Sequence, residues 1–158
     1  MHMNYAPDFL LYRKKSSNMS TFAVAITKNE LTTQLNTEGH MGLVDEPVEI
    51  GGLDKGPTPY DLLCGALASC TSITLRLYAN RKEWDVSRIR VEVKYAKAYK
   101  EDCEACTENP KKIDVFERII KLEGDLDDTQ RQRMLQIANS CPVHRTLESE
   151  IHVNTRLD

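Results

Sequence analysis

Between Thr58 and Lys82 the chain holds a segment that is apolar on every side. Leu62, Leu63, Leu67, Ile73, Leu75, Leu77 and Tyr78 surround a helix axis instead of forming one stripe. Its start is encoded locally: Thr58 suits the N-cap, Pro59 suits the first helical position where no N–H is needed, and Asp61 completes a capping-box-like pattern at the positive helix end. The spacing predicts one helix running to about Lys82, about 36 Å long. Such a helix demands burial on most sides, and a chain of 158 residues has one core to offer. Gly65, Ala66, Ala68 and Ser69 would let another backbone approach closely, so the segment predicts a homodimer. The longest uncharged run, Leu62 to Leu75, is too short for a bilayer span and holds several Ser and Thr, so no membrane is expected as a partner.

The flanking sequence reads as strands. Phe22, Val24 and Ile26 alternate up to Lys28-Asn29-Glu30, and Leu31, Thr33 and Leu35 alternate beyond it, which predicts a hairpin, with a short third strand around His40 to Val44. Gly51 to Pro57 is a loop. After the helix, Ile89, Val91, Val93 and Tyr95 alternate with charged residues, and Lys112 to Leu122 reads as a strand of less regular alternation. Asp127-x-x-Gln130 is a capping box opening a helix through Met134, Leu135 and Ala138. A last strand, Glu150 to Leu157, is expected with Ile151, Val153 and Leu157 inward. The order predicts an α+β domain over 21–158 with a largely antiparallel sheet, preceded by a loosely held extension over 1–20.

A net charge of −3 and a pI near 5.8 give no basic field, so nucleic acid is not an expected partner. Residues 1–20 do not read as a secretory signal, so the cytoplasm is the expected compartment. Five cysteines, an odd number, argue against a permanent disulfide framework and for free thiols or metal ligands.

Two of those thiols stand where redox chemistry is feasible. Cys70 lies several turns into the helix, beyond reach of the helix dipole, so its activation needs a cation or donor from elsewhere; a packed thiol acting as a small hydrophobe is the competing reading. Cys64, about 120° around the helix from it, fits that packing role. Cys141 precedes Pro142, which makes it the N-cap of a short helix with its sulfur facing free N–H groups, and His144 and Arg145 add positive charge nearby. On these residues alone, either cysteine could be the attacking thiol. Cys103 and Cys106 form a lone C-x-x-C, which together with Cys141 and His144 offers a ligand set suited to tetrahedral zinc; less than stoichiometric zinc is expected, because a closed site would tie up Cys141.

The combination of Pro57-Thr58-Pro59-Tyr60, Gly65-Ala66-Leu67-Ala68-Ser69-Cys70, Asp102-Cys103-x-x-Cys106 and Cys141-Pro142-Val143-His144-Arg145 resembles the OsmC and Ohr family of thiol peroxidases over nearly everything after residue 20. The resemblance implies antiparallel sheets around a long buried central helix, in an intertwined homodimer. It also implies that Cys70 is the peroxidatic thiolate and Cys141 the resolving thiol, that the substrate is an organic hydroperoxide, that a dithiol is the reductant, and that no cofactor or metal is needed. Two positions depart from the better-known members. Where these have a glutamate ten residues before the peroxidatic cysteine, this chain has Tyr60, with Asp61 the nearest acid. Their hairpin arginine falls at Lys28 or Asn29, and lysine is a flexible point charge where arginine would be a bidentate fork. Tyr60, Asp61, Lys28 and Arg145 are therefore the expected supporting residues. The competing function is an OsmC-like protein that binds a small molecule or zinc without peroxidase turnover.

Overall fold

The hairpin forms where the alternation places it. In the computed structural model, which describes residues 21–99 and 112–157, strands β1 (Ala23–Thr27), β2 (Thr33–Thr37) and β3 (His40–Val44) make an antiparallel sheet in chain order. A 3₁₀ turn, Val48–Ile50, follows. The loop up to Thr58 is wound around the buried carboxylate of Asp45, which accepts hydrogen bonds from the Thr32 hydroxyl at 2.8 Å and from the N–H groups of Glu46, Leu53 and Lys55 at 2.9, 3.3 and 3.3 Å. Gly52 permits this winding: a Cβ there would lie 1.7 Å from the carbonyl oxygen of Glu46.

The chain divides between Thr58 and Pro59 into two units. The second opens with α1 (Pro59–Lys82), followed by β4 (Arg88–Tyr99), β5 (Lys112–Glu123), α2 (Asp128–Ala138) and α3 (Pro142–Leu147). β4 and β5 pair antiparallel in a two-stranded sheet, with Ile89 opposite Leu122, Val93 opposite Arg118 and Tyr95 opposite Phe116. α1 packs on β4, α2 and α3. Its Leu75, Tyr78 and Ala79 join Val86, Leu126, Met134 and Ala138 in the core, edged by Trp84, Ile89, Ile120, Leu122 and Ile137. Met134 is 1% exposed, so truncating it to alanine would cost about 2–5 kcal/mol.

The architecture is the expected α+β arrangement of antiparallel sheets and a long helix. The Asp127–Gln130 capping box forms reciprocally, with Gln130 N–H donating to Asp127 Oδ1 at 2.7 Å and Asp127 N–H donating to Gln130 Oε1 at 2.9 Å. One expected strand is absent. Glu150 to Leu157 forms no strand, and Ile151, Val153 and Leu157 are exposed, Leu157 fully. Alternation alone makes a strand only where an unpaired edge accepts it, and this segment has no ladder partner in the described residues. α1 is also longer than its uncharged run, and by length and composition it could cross a membrane. It packs on β4, α2 and α3 along one side only, with Leu62, Leu63, Ile73 and Leu77 exposed, so the burial on most sides expected from its sequence is not supplied by this chain. The extension over 1–20 and the Cys103-x-x-Cys106 pair lie outside the described residues.

Candidate functional site

α1 and α3 converge at the two cysteines singled out by the sequence. Cys70 lies at the centre of α1, partly exposed, and Cys141 is the fully buried N-cap of α3 with Pro142 as its first residue. Short local bonds fix the turn that carries Cys141. Cys141 N–H donates to the carbonyl of Ala138 at 3.3 Å, and its own carbonyl accepts the N–H of Arg145 at 3.1 Å, which starts α3. The Cys70 thiol donates a hydrogen bond to the sulfur of Cys141, so the two side chains form a dithiol pair across the helices.

The pair is electrostatically asymmetric. Burial pushes the Cys70 thiol up from its ordinary value, and its bond to Cys141 adds to that, only partly opposed by the Val143 N–H and the Thr74 hydroxyl. Burial also works against ionisation of Cys141. There, however, the facing Cys70 thiol, His144 N–H, Thr71 hydroxyl and Val143 N–H prevail and lower it from the ordinary thiol value. Those amides lie at the open end of α3 without making a regular N-cap bond to the sulfur. Of the two thiols, Cys141 is therefore the one that ionises more readily.

The expected supporting residues divide. His144 turns its ring to Glu148, with Nε2 to Oε2 at 3.0 Å, and Arg145 is exposed, so α3 favours the Cys141 thiolate through its amides. Tyr60 stacks on Tyr95 at a centroid distance of 4.3 Å, and the Tyr95 hydroxyl donates to Asp114 at 2.6 Å. Tyr60 thus belongs to an aromatic group on β4 and β5 that includes Phe116. Asp61 stands in the first turn of α1, where its charge raises the pKa of Cys64, a thiol already pushed up by burial. Lys28 lies between β1 and β2 in the first unit, beside a cavity of about 330 Å³ lined also by Ile26, Thr32, Gln34 and Leu43. No group of three metal-ligating side chains occurs among the described residues, which do not include Cys103 and Cys106.

The OsmC-like protein family model matches residues 52–156. The chain belongs to the OsmC family. No curated protein sequence matches it. Among solved structures it is similar to an osmotic-stress and detoxification response protein from Psychrobacter arcticus at 23% identity and a TM-score of 0.65, over 87% of this chain and 92% of that one. It is similar also to an OsmC-like protein from Mycoplasma pneumoniae, at 16% identity and a TM-score of 0.63, over 82% and 87% of the two chains. An organic hydroperoxide resistance protein from Elizabethkingia anophelis, with thiocyanate bound, aligns at 15% identity and a TM-score of 0.63, over 84% and 90%. At these identities the likeness is one of fold.

Within this OsmC fold the structure adds residues that sequence reading passed over. Thr71 is fully buried beside the cysteines, and Arg118 reaches it from β5, with Nη1 to Thr71 Oγ1 at 3.0 Å. A signal for Arg118 existed. The irregular alternation of β5 comes from an arginine in the row shared by Phe116, Ile120 and Leu122, a row otherwise used for packing.

Proposed function

We propose that the protein is a cysteine-based peroxidase that reduces organic hydroperoxides through Cys70 and Cys141 in oxidative-stress defence. The observation that supports this reading best is the hydrogen-bonded dithiol in which Cys70 alone is partly open to solvent. A peroxide can reach Cys70, and Cys141 is already in place to close a disulfide.

The asymmetry of the pair supplies the proton traffic. As a peroxide approaches, the Cys141 thiolate takes the Cys70 proton along the existing hydrogen bond. The Cys70 thiolate attacks the terminal peroxide oxygen, the O–O bond breaks, and Cys70 becomes a sulfenic acid while an alkoxide leaves. Cys141 returns the proton to the alkoxide, giving an alcohol, and as a thiolate again attacks the Cys70 sulfur. The S–S bond forms and hydroxide departs, with both cysteines oxidised by one electron and the peroxide reduced by two. An external dithiol regenerates the pair by exchange. Free thiols on this cycle fit a reducing compartment such as the cytoplasm. The active assembly in this reading is a homodimer, with a second copy covering the apolar side of α1 that this chain leaves exposed.

Steady-state consumption of cumene hydroperoxide in the presence of a dithiol tests the reading. Turnover that depends on Cys70 supports it. Absence of turnover, with a stoichiometric small molecule or zinc retained through purification, would favour the binding-protein alternative.

A further inference from the structure

β5 places a guanidinium where its pattern calls for an apolar side chain. Phe116, Ile120 and Leu122 are half-buried and alternate with exposed neighbours, and Arg118 falls in the same row. Its donors are committed: Nη1 donates to Thr71 Oγ1 at 3.0 Å and to the Ala138 carbonyl at 3.1 Å, and Nη2 donates to Asn139 Oδ1 at 2.7 Å. Withdrawing a guanidinium from water is costly unless its donors are satisfied, and here one acceptor stands on α1 next to Cys70 and two stand at the C-terminal end of α2, just before Cys141. Thr71 follows Cys70 on α1. The Ala138 carbonyl also accepts the Cys141 N–H, and Asn139 is the C-cap of α2 at the start of the Cys-Pro turn.

Thr71 links this clamp to the chemistry. A helical threonine commonly turns its hydroxyl onto the carbonyl one turn back. With Arg118 donating to its oxygen, the single hydroxyl hydrogen of Thr71 is directed instead to the sulfur of Cys141. Lysine could not reproduce this, because it lacks the planar fork that holds Thr71 and the end of α2 together.

We propose that Arg118 is the positioning residue of the thiol pair: from β5 it fastens Thr71 to the C-terminal end of α2, setting the Cys141 turn beside Cys70 and aiming the Thr71 hydroxyl at the Cys141 sulfur. This rests on reading Cys70 and Cys141 as the reacting pair.

The test follows the Cβ resonance of Cys141 against pH in cysteine-labelled full-length protein, for wild type, Arg118→Met, Arg118→Lys, Thr71→Val and the Arg118→Met, Thr71→Val double variant. Arg118→Met and Thr71→Val are each expected to raise the Cys141 titration midpoint by about one pH unit, the size expected for loss of a hydrogen bond to a charged group. Arg118→Lys is expected to behave like Arg118→Met, and the double variant to shift no further than Thr71→Val, because the two groups act in series. A midpoint unmoved in folded Arg118→Met, full rescue by lysine, or equal and additive shifts would each overturn the proposal. Should Arg118→Met fail to fold, the near-isosteric Thr71→Val decides, since an unmoved midpoint there also overturns it. The titration contains no peroxide, so the expected shifts in a protein that consumes no hydroperoxide would refute the peroxidase reading alone, and turnover without the shifts would refute the clamp alone.

Discussion

Cys70 and Cys141 are hydrogen-bonded to each other across α1 and α3, and the contact pushes the pKa of the partly exposed Cys70 up and that of the buried Cys141 down. Each therefore sets the ionisation of the other. Replacing one changes the remaining partner as well as removing a reacting atom.

Cys70→Ser is expected to abolish peroxide reduction. Cys141→Ser is expected to allow a single round, because Cys141, through its hydrogen bond and its charge, is among the causes that hold the Cys70 pKa up. In that variant Cys70 should ionise more readily, react once, and remain as a sulfenic acid exposed to overoxidation. Dimedone trapping followed by peptide mass spectrometry reads the outcome. Label on Cys141 in an active Cys70→Ser protein would reverse the assignment of attacking and resolving thiols.

The pH dependence follows from the same bond. Below the depressed pKa of Cys141 both thiols are protonated and neither attacks. The rate should rise through a midpoint below the ordinary thiol value of 9.0, as the singly ionised pair forms. It should fall again above the raised pKa of Cys70, where no proton remains for the departing alkoxide, giving a bell-shaped profile. Cys70→Ala removes a bond that favours the Cys141 thiolate, so its titration should move to higher pH. Movement to lower pH would show that the Cys70 thiol does not donate to Cys141.

The elements were legible because their signals are local. Pro59 with Asp61 and the Asp127–Gln130 box mark helix starts within one turn, and α1 and α2 begin where these signals place them. Cys141 was legible because a Cys-Pro turn fixes its own geometry, whereas Cys70, in mid-helix, was singled out by the family resemblance. Arg118 was not, because its partners Thr71, Ala138 and Asn139 come from three distant stretches and only the folded β4–β5 pair brings them together. The closing strand misled for the opposite reason. Ile151 and Val153 alternate correctly, but strand formation depends on a neighbouring edge that periodicity does not encode.

Asp45 makes the first unit sensitive to acid. Burial opposes its ionisation, but the hydrogen bonds from Glu46, Thr32, Lys55 and Leu53 outweigh that and hold its pKa below the ordinary 3.8. A carboxyl with a depressed folded-state pKa contributes stability that is present in full above its unfolded pKa and is lost as pH falls through the folded value. Asp45→Asn cannot accept all of these bonds and is expected to lower stability at neutral pH. Denaturant melts of both proteins should converge as pH drops below 3.8. A constant difference across that range would mean that the cost is not tied to the charge.

The last expectation concerns the side of α1 that this chain does not cover. Leu67, Thr71, Leu75 and Ala79 form its buried side, while Leu62, Gly65, Ala66, Ser69, Ile73 and Leu77 recur at helical spacing along an exposed one. Ile73 is 60% and Leu77 65% exposed, and a Cβ added at Gly65 would meet no atom within 4 Å. A stripe that is apolar at its ends and small at its centre suits close approach of the same stripe from a second copy around a two-fold axis. Burying Ile73 and Leu77 there would contribute about 1.5–3 kcal/mol per side chain on each copy. The unaltered protein is thus expected to sediment as a dimer and Ile73→Asp as a folded monomer, and Gly65→Leu should weaken association by holding the helices apart. If both variants remain dimeric, α1 is not the interface, and the exposed Ile113, Val115 and Ile119 of β5 become the next surface to alter.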